Sequence, residues 1–327
     1  MGTGARAVRT PALLAIALGL ATPAADVAAQ APAELQVQAT VSRSGFDLGA
    51  GFDSLWMMSD GRLVRVATSD DGVADIAIPV ADSAAVLPDI AKYRGIAIGE
   101  GAVWITDLAG SVIYKVDPQK NALALTIPTE VFGSGGSIGV GEGAVWVITS
   151  DSHDKTLTRY DAQTGAVEAT IALPQPGKGV AVGAGAVWVT AAKQAELYRI
   201  DPKKNRIVST TALHASSHLI AAGDDSIWIA FEKDGVAQRI DGRTGAVIAT
   251  ITTGASDMES DGDIAIGGGY VWIITRSSLI ARIDPKTNAL AGRFKAASGT
   301  VVGRRLRYAA GSLWISGGSL FRLAPPQ

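Results

Sequence analysis

An all-β chain built from seven copies of one unit is what the sequence predicts, and three observations carry that prediction. All seven tryptophans, Trp56, Trp104, Trp146, Trp188, Trp228, Trp272 and Trp314, fall 40 to 48 residues apart. Each follows a similar segment, as in Ile96-Ala-Ile-Gly-Glu-Gly-Ala-Val-Trp104 and Val180-Ala-Val-Gly-Ala-Gly-Ala-Val-Trp188. The last unit also stops one strand short, while an alternating segment, Leu35 to Val41, precedes the first unit without an assignment. Self-similarity at a period near 42 residues with several short strands per unit is the signature of a β-propeller. The expectation is therefore seven four-stranded antiparallel blades closed by an N-terminal strand.

Ahead of that domain, Arg6 and Arg9 precede the apolar run Pro11 to Ala21, and small residues follow up to Ala29. This pattern predicts a secretory leader over residues 1–29, with residues 30–327 as a single domain and a periplasmic or secreted location. No stretch is long enough to predict a membrane span. The chain has no cysteine, which excludes thiol catalysis, cysteine-bound metals and covalent c-type haem. With 29 basic and 31 acidic residues, no charge excess points to nucleic acid or a membrane surface.

Within the fourth unit, Val180–Val182 predicts an inner strand a, Ala186–Thr190 strand b and Glu196–Ile200 strand c. Asp201-Pro-Lys-Lys-Asn205 predicts a tight turn whose last residue is left-handed, and Arg206–Thr211 the outer strand d. Seven residues before six of the tryptophans stand Gly49, Ala97, Gly139, Ala181, Ala221 and Ala265, small enough for the crowded axis. Strand c repeats a cation (Arg65, Lys115, Arg159, Arg199, Arg239, Arg282, Arg322), and in five units an Asp follows two residues later on the same face. The seventh unit offers strands a, b and c over 306–309, 312–316 and 319–323, so Leu35–Val41 is expected to pair with Ser319–Leu323 and join the two ends of the ring.

Function is sought where the repeats differ. The d-to-a connections vary in length, from the short 213–218 to the long 80–94 and 295–305, and open around the channel mouth, whereas the opposite turns are nearly uniform. Arg307 replaces the small residue of the other six units, with Arg305 just above it and Asp47 and Asp263 at the equivalent tops of the flanking units. These residues, with Arg94 and Lys178, form the candidate ligand-binding set. They read either as an ion-pair plug or as an anion-recognising cluster. The connection 257–263 holds four carboxylates, of which Asp257, Glu259 and Asp261 are candidate ligands for Mg²⁺ or Ca²⁺. His214 and His218 lie in the neighbouring connection, His218 directly before a strand a, and His153 sits in another loop.

The unit Gly-x-Gly-Ala-Val-Trp-Val-Thr followed by Arg-Ile-Asp-Pro-Lys-Thr-Asn resembles the repeats of exported YVTN/YncE-type propellers over residues 45–323. It is also similar to those of virginiamycin B (streptogramin) lyases, which share seven blades. The second resemblance implies elimination chemistry with Mg²⁺, histidine and glutamate on the loop face, with His218 and Glu232 in matching positions as catalytic candidates. The slot for a second histidine holds Asp261-Gly262, and the lyases' Asp-Gly-Asn-Leu-Trp turn is replaced. The resemblance thus favours a binding propeller over a true lyase; varied loops without a complete catalytic constellation make the expected protein a monomer that binds a small molecule or an envelope protein, with a metal-dependent lyase or hydrolase as the alternative. Eight-bladed quinoprotein dehydrogenases carry a tryptophan docking pattern that is absent here, and the metal-ligand spread of a lactonase is not found.

Overall fold

The computed structural model describes residues 31–45, 47–59, 61–78, 95–107, 111–129, 137–149, 155–257, 261–296 and 303–326. The expected leader over residues 1–29, Arg94, His153, Glu259 and the connection 80–94 lie outside them.

Seven antiparallel sheets form, one per tryptophan. Blade 4 is representative: strand a is Gly177–Gly183, b is Ala186–Ala191, c is Glu196–Asp201 and d is Arg206–Ala212. Strand a is longer than Val180–Val182 because pairing runs on through a bulge to Gly177↔Ala191. The a-to-b turn takes two left-handed residues, Ala184 at φ 52° and Gly185 at φ 67°, the geometry that matches strand twist in a two-residue hairpin. The c-to-d turns end as expected, on Asn205 at φ 49° in blade 4 and Gly245 at φ 78° in blade 5.

There is no single core. Seven apolar clusters form, one between each pair of adjacent blades, including blade 7 against blade 1. Every tryptophan lies in such an interface with at most 1% of its surface exposed, and each would bury about 150–250 Å². Its indole N–H is satisfied locally: Trp188 Nε1 donates to Gly183 O at 3.1 Å and Trp146 Nε1 to Gly141 O at 3.2 Å. The small residue seven positions earlier is the tryptophan's direct cross-strand partner, as in Gly139↔Trp146. A methyl added to Gly139 would stand 2.9 Å from Val180 Cγ1 and 3.0 Å from Val182 Cγ2. Smallness is thus demanded by the next blade's strand a, pressed close near the axis.

The strand-c cations staple neighbouring blades. Each lies over its own tryptophan, 5.1 Å from the ring centroid for Arg65 and 5.3 Å for Arg239. Arg65 Nη1 then donates to Pro118 O at 2.8 Å and Asn121 Oδ1 at 2.9 Å of blade 2. Arg239 Nη1 repeats this on Pro285 O and Asn288 Oδ1 of blade 6, at 2.6 and 2.8 Å. The Asp two residues after the cation instead caps its own turn, Asp161 Oδ1 accepting from the Gln163 and Thr164 amides.

Closure follows the expected pairing, with one addition. The N-terminal segment forms two strands, β1 (Ala33–Leu35) and β2 (Val37–Val41). β2 is antiparallel to strand c of blade 7, Val41↔Leu320 to Val37↔Leu323, and completes that blade. β1 is parallel to the outer strand of blade 6, Ala33↔Phe294 to Leu35↔Ala296, giving that blade a fifth strand. Leu35 is thereby buried in the core between blades 6 and 7. Among the described residues, no helix is long and apolar enough to cross a membrane.

Candidate functional site

Strand a of every blade begins at one end of the central channel, and there the first residues of the seven blades surround a cavity of about 170 Å³. One arc is charged: Asp263 on blade 6, Arg305 and Arg307 on blade 7, Asp47 on blade 1. The facing arc runs through blades 2 to 5, where Gly95, Ser137, Gly179 and His218 stand at the cavity, while the neighbouring Ile96, Ile138, Val180 and Ile220 pack against the apolar clusters between blades. The polar backbone behind that arc is tied down, the Gly95 amide donating to Thr106 Oγ1 at 2.8 Å and the Gly179 amide to Thr190 Oγ1 at 3.0 Å.

The arginines on the charged arc are paired. Arg307 Nη1 contacts Asp263 Oδ2, and the same oxygen accepts from the Leu306 amide at 2.9 Å. Arg305 Nη1 lies 3.4 Å from Asp261 Oδ1 and 3.2 Å from Gly262 O, while Arg305 Nε is 3.9 Å from Asp47 Oδ1. Burial draws the Arg305 pKa down, but Asp263, Asp47 and Asp261 outweigh it and hold the guanidinium above its ordinary value. Arg307 is the direct cross-strand partner of Trp314.

Beside this network stands a second group on blades 4 to 6. Burial, helped by Lys178 and Arg305, pushes His218 down to about 4, against the pull of Asp263 and Asp261. His218 is therefore neutral at pH 7. Glu232 opens a single 3₁₀ turn, Glu232–Asp234, after strand b of blade 5, and is only 4% exposed. Burial, supported by Asp261 and Asp257, pushes its carboxyl up to about 7, although the Gly262 backbone and Arg305 favour the ionised form. Its Oε1 has no hydrogen-bond partner among the described residues. Lys178, half-buried, is held below the usual lysine value by burial and then by Lys233, with Glu232 opposing.

Of the expected site residues, Asp47, Asp263, Arg305, Arg307 and His218 meet at the cavity, and Lys178, Glu232 and Asp261 adjoin it. Asp257 Oδ2 accepts from the Ser277 amide at 2.8 Å, and Glu259 and Arg94 lie outside the described residues. Among the described residues no three of His, Cys, Asp or Glu are grouped to hold a metal, so no chemistry is derived through Mg²⁺ or Ca²⁺. His214 turns away: its Nε2 is 3.2 Å from Asp234 Oδ2 and its ring packs on Phe231. Sequence reasoning named Gly262 but missed the close approach there, and it missed Lys233 and Ser137. Any Cβ at position 262 would collide with Glu232 Oε1 and Ile274 O. The glycine between two aspartates was the available signal for that close approach. Ser137 Oγ donates to Lys178 O at 2.7 Å, linking the inner strands of blades 3 and 4.

Fold and site together define a closed seven-bladed β-propeller with a charged channel mouth. No protein-family model and no curated protein matches the sequence. Among solved structures it is similar to a streptogramin B lyase, with a TM-score of 0.70 and 16% identity over 89% of this chain and 96% of that one. It is also similar to Kuenenia stuttgartiensis hydrazine synthase, with a TM-score of 0.64 and 12% identity over 88% of this chain and 97% of that one. At such identities the likeness is one of fold.

Proposed function

We propose that this chain is an exported binding protein whose ligand site is the channel mouth on the face of the d-to-a connections. One observation carries the reading. Six blades place Gly or Ala opposite the tryptophan, and the seventh places Arg307 there, at a cavity. A scaffold that needs a small residue six times does not itself call for a guanidinium at the seventh position, facing Asp263 at the cavity. The ligand is a small molecule or an exposed group of an envelope protein, met by a monomer. The test compares wild type with Arg307→Met after incubation with fractionated cell-envelope extract, identifying retained molecules by mass spectrometry. Retention by wild type that the variant loses is expected; identical profiles across all fractions would exclude the mouth.

Glu232 and His218 favour a second reading, a metal-dependent lyase or hydrolase. A neutral histidine at pH 7 accepts a proton and a carboxyl near 7 donates one, which is how paired acid–base roles are set by environment. In this reading His218 is the general base and Glu232 the acid, with Asp261 beside it. Arg305 or Arg307 steadies a developing oxyanion. The fold shared with a streptogramin B lyase makes ring-opening elimination the first reaction to assay. Activity that survives both chelator and His218→Ala would remove this reading.

A further inference from the structure

Ten residues before Trp188, Trp228 and Trp272 stand Lys178, His218 and Gly262, the same station on blades 4, 5 and 6. The third station has no side chain of its own. Glu232, from the turn after strand b of blade 5, fills it, with Oε1 where a Cβ at 262 would lie. One layer at the channel mouth therefore carries an amine, an imidazole and a carboxyl on three successive blades. Strand a of blade 4 is shaped to present the amine. Its pairing shifts register between Gly177 and Gly179, so Lys178 is the bulged residue, outside the ladder, and a bulge re-aims the side chain it carries. The backbone there is pinned: Ser137 Oγ donates to Lys178 O at 2.7 Å, and the Gly179 amide to Thr190 Oγ1 at 3.0 Å. Glycine is required on both sides, since a Cβ at 177 would stand 2.7 Å from Ile148 Cδ1 and one at 179 would stand 2.5 Å from His218 O. Gly179 and His218 both line the cavity. Among the described residues no carboxylate is within ion-pair distance of the Lys178 ammonium.

We propose that Lys178 is a carbonyl-capturing amine, which forms an imine with a small aldehyde entering the channel mouth, with His218 as the proton carrier. Capture goes beyond both functional readings: it shares His218 with the second but needs no metal, and it leaves the arginine–aspartate pairs intact. A lysine taken partly out of water beside another cation is the kind that acts as a nucleophile. Burial and Lys233 both favour the uncharged amine here. The amine adds to the carbonyl carbon, and one N–H proton passes through His218 to the new alkoxide. The second N–H proton follows the same path to that hydroxyl. The C–O bond then breaks, water leaves, and the nitrogen lone pair closes the C=N bond. His218 begins and ends neutral, in keeping with its burial.

The test uses the whole protein at pH 7 with a chelator present, butanal as the probe and sodium cyanoborohydride to reduce any imine to a stable secondary amine. Peptide mass mapping then reads which lysines carry a butyl group. Lys178 is expected to label at least about tenfold faster than Lys193 and Lys203, which are exposed on the same blade. His218→Gln is expected to slow Lys178 to the rate of those two while leaving their rates unchanged, and circular dichroism melts confirm that the variant folds. Lys178 labelling no faster than Lys193 and Lys203 in wild type overturns the assignment without any variant. Selective labelling that persists in His218→Gln overturns the proton carrier. Neither result bears on extract retention through Arg307 or on chelator-sensitive elimination, which stand or fall by their own experiments.

Discussion

Arg322 and Arg307 flank the same tryptophan, each paired directly with Trp314 from the strand on either side, yet they belong to different parts of the molecule. Arg322 lies over the indole, 5.7 Å from its centroid, and donates to Asp71 of blade 1 at 2.9 Å. Its counterparts in the other six blades lie over their own tryptophans in the same way. Arg307 has no counterpart, and its partner is Asp263 at the channel mouth. The difference teaches how to sort residues in a repeat protein. A charge copied in every unit with a partner in the next unit is scaffold, and a charge present once, where the scaffold asks for a methyl or less, is a candidate for function.

The strongest way to break the scaffold side is to remove its closure. Deleting residues 31–41 takes a strand from each of blades 6 and 7 and exposes the two inter-blade cores that hold Leu35 and Val41. The expected result is loss of the cooperative thermal transition, or a fall in Tm of more than about 10 °C; an unchanged melt would refute the double latch. Next comes Trp188→Ala, which empties a fully buried site and should cost about 3–5 kcal/mol in urea unfolding. Arg239→Ala removes a stacked cation and its bonds to Pro285 O and Asn288 Oδ1, for about 2–3 kcal/mol. Arg307→Ala restores the repeat and leaves Asp263 with the Leu306 amide and Arg305, so it should cost less than Arg239→Ala while abolishing ligand retention. Equal stability losses at 239 and 307 would erase the distinction drawn here.

The finest test is pH. Glu232 sits near 7 in the fold against an ordinary 4.5, so its contribution is full below about pH 4.5 and is lost as pH rises through 7. His218 sits near 4 against 6.5, so its contribution is full above 6.5 and is lost as pH falls toward 4. The two slopes oppose one another between about pH 4.5 and 6.5. Relative to wild type, Glu232→Gln should gain stability as pH rises from 4.5 to 7, on the order of 1–3 kcal/mol. His218→Gln should gain as pH falls from 6.5 to 4. Urea midpoints across pH 4–8 check both directions, and parallel curves for the three proteins would contradict the burial of these groups.

Most of the scaffold was legible because it is written seven times. The tryptophans gave the blade count, the Asp-Pro and Asp-Gly turns gave the strand ends, and the missing outer strand of blade 7 pointed to Leu35–Val41. What escaped was non-repetitive or three-dimensional. Three residues of parallel strand carry no periodicity, so the pairing of Ala33–Leu35 with blade 6 left no mark. The Asp after five of the strand-c cations shares their strand face, but spacing reports which face a residue shares and not what a long side chain reaches. Asp161 caps its own turn while Arg159 crosses to Pro202 of the next blade. At the mouth, ring order predicted that Asp47, Asp263 and Arg305 would be neighbours. Burial was invisible, and burial separates Glu232 from an ordinary surface glutamate.

The double latch also sets an order of events. Residues 33–41 are made early, yet their partners at 289–296 and 320–323 are made last. Wherever the chain folds, the leading segment has no partner until the far end of the chain is present, and the circle locks only then. Whatever keeps that segment from pairing elsewhere in the interval governs how much of the chain reaches its finished form.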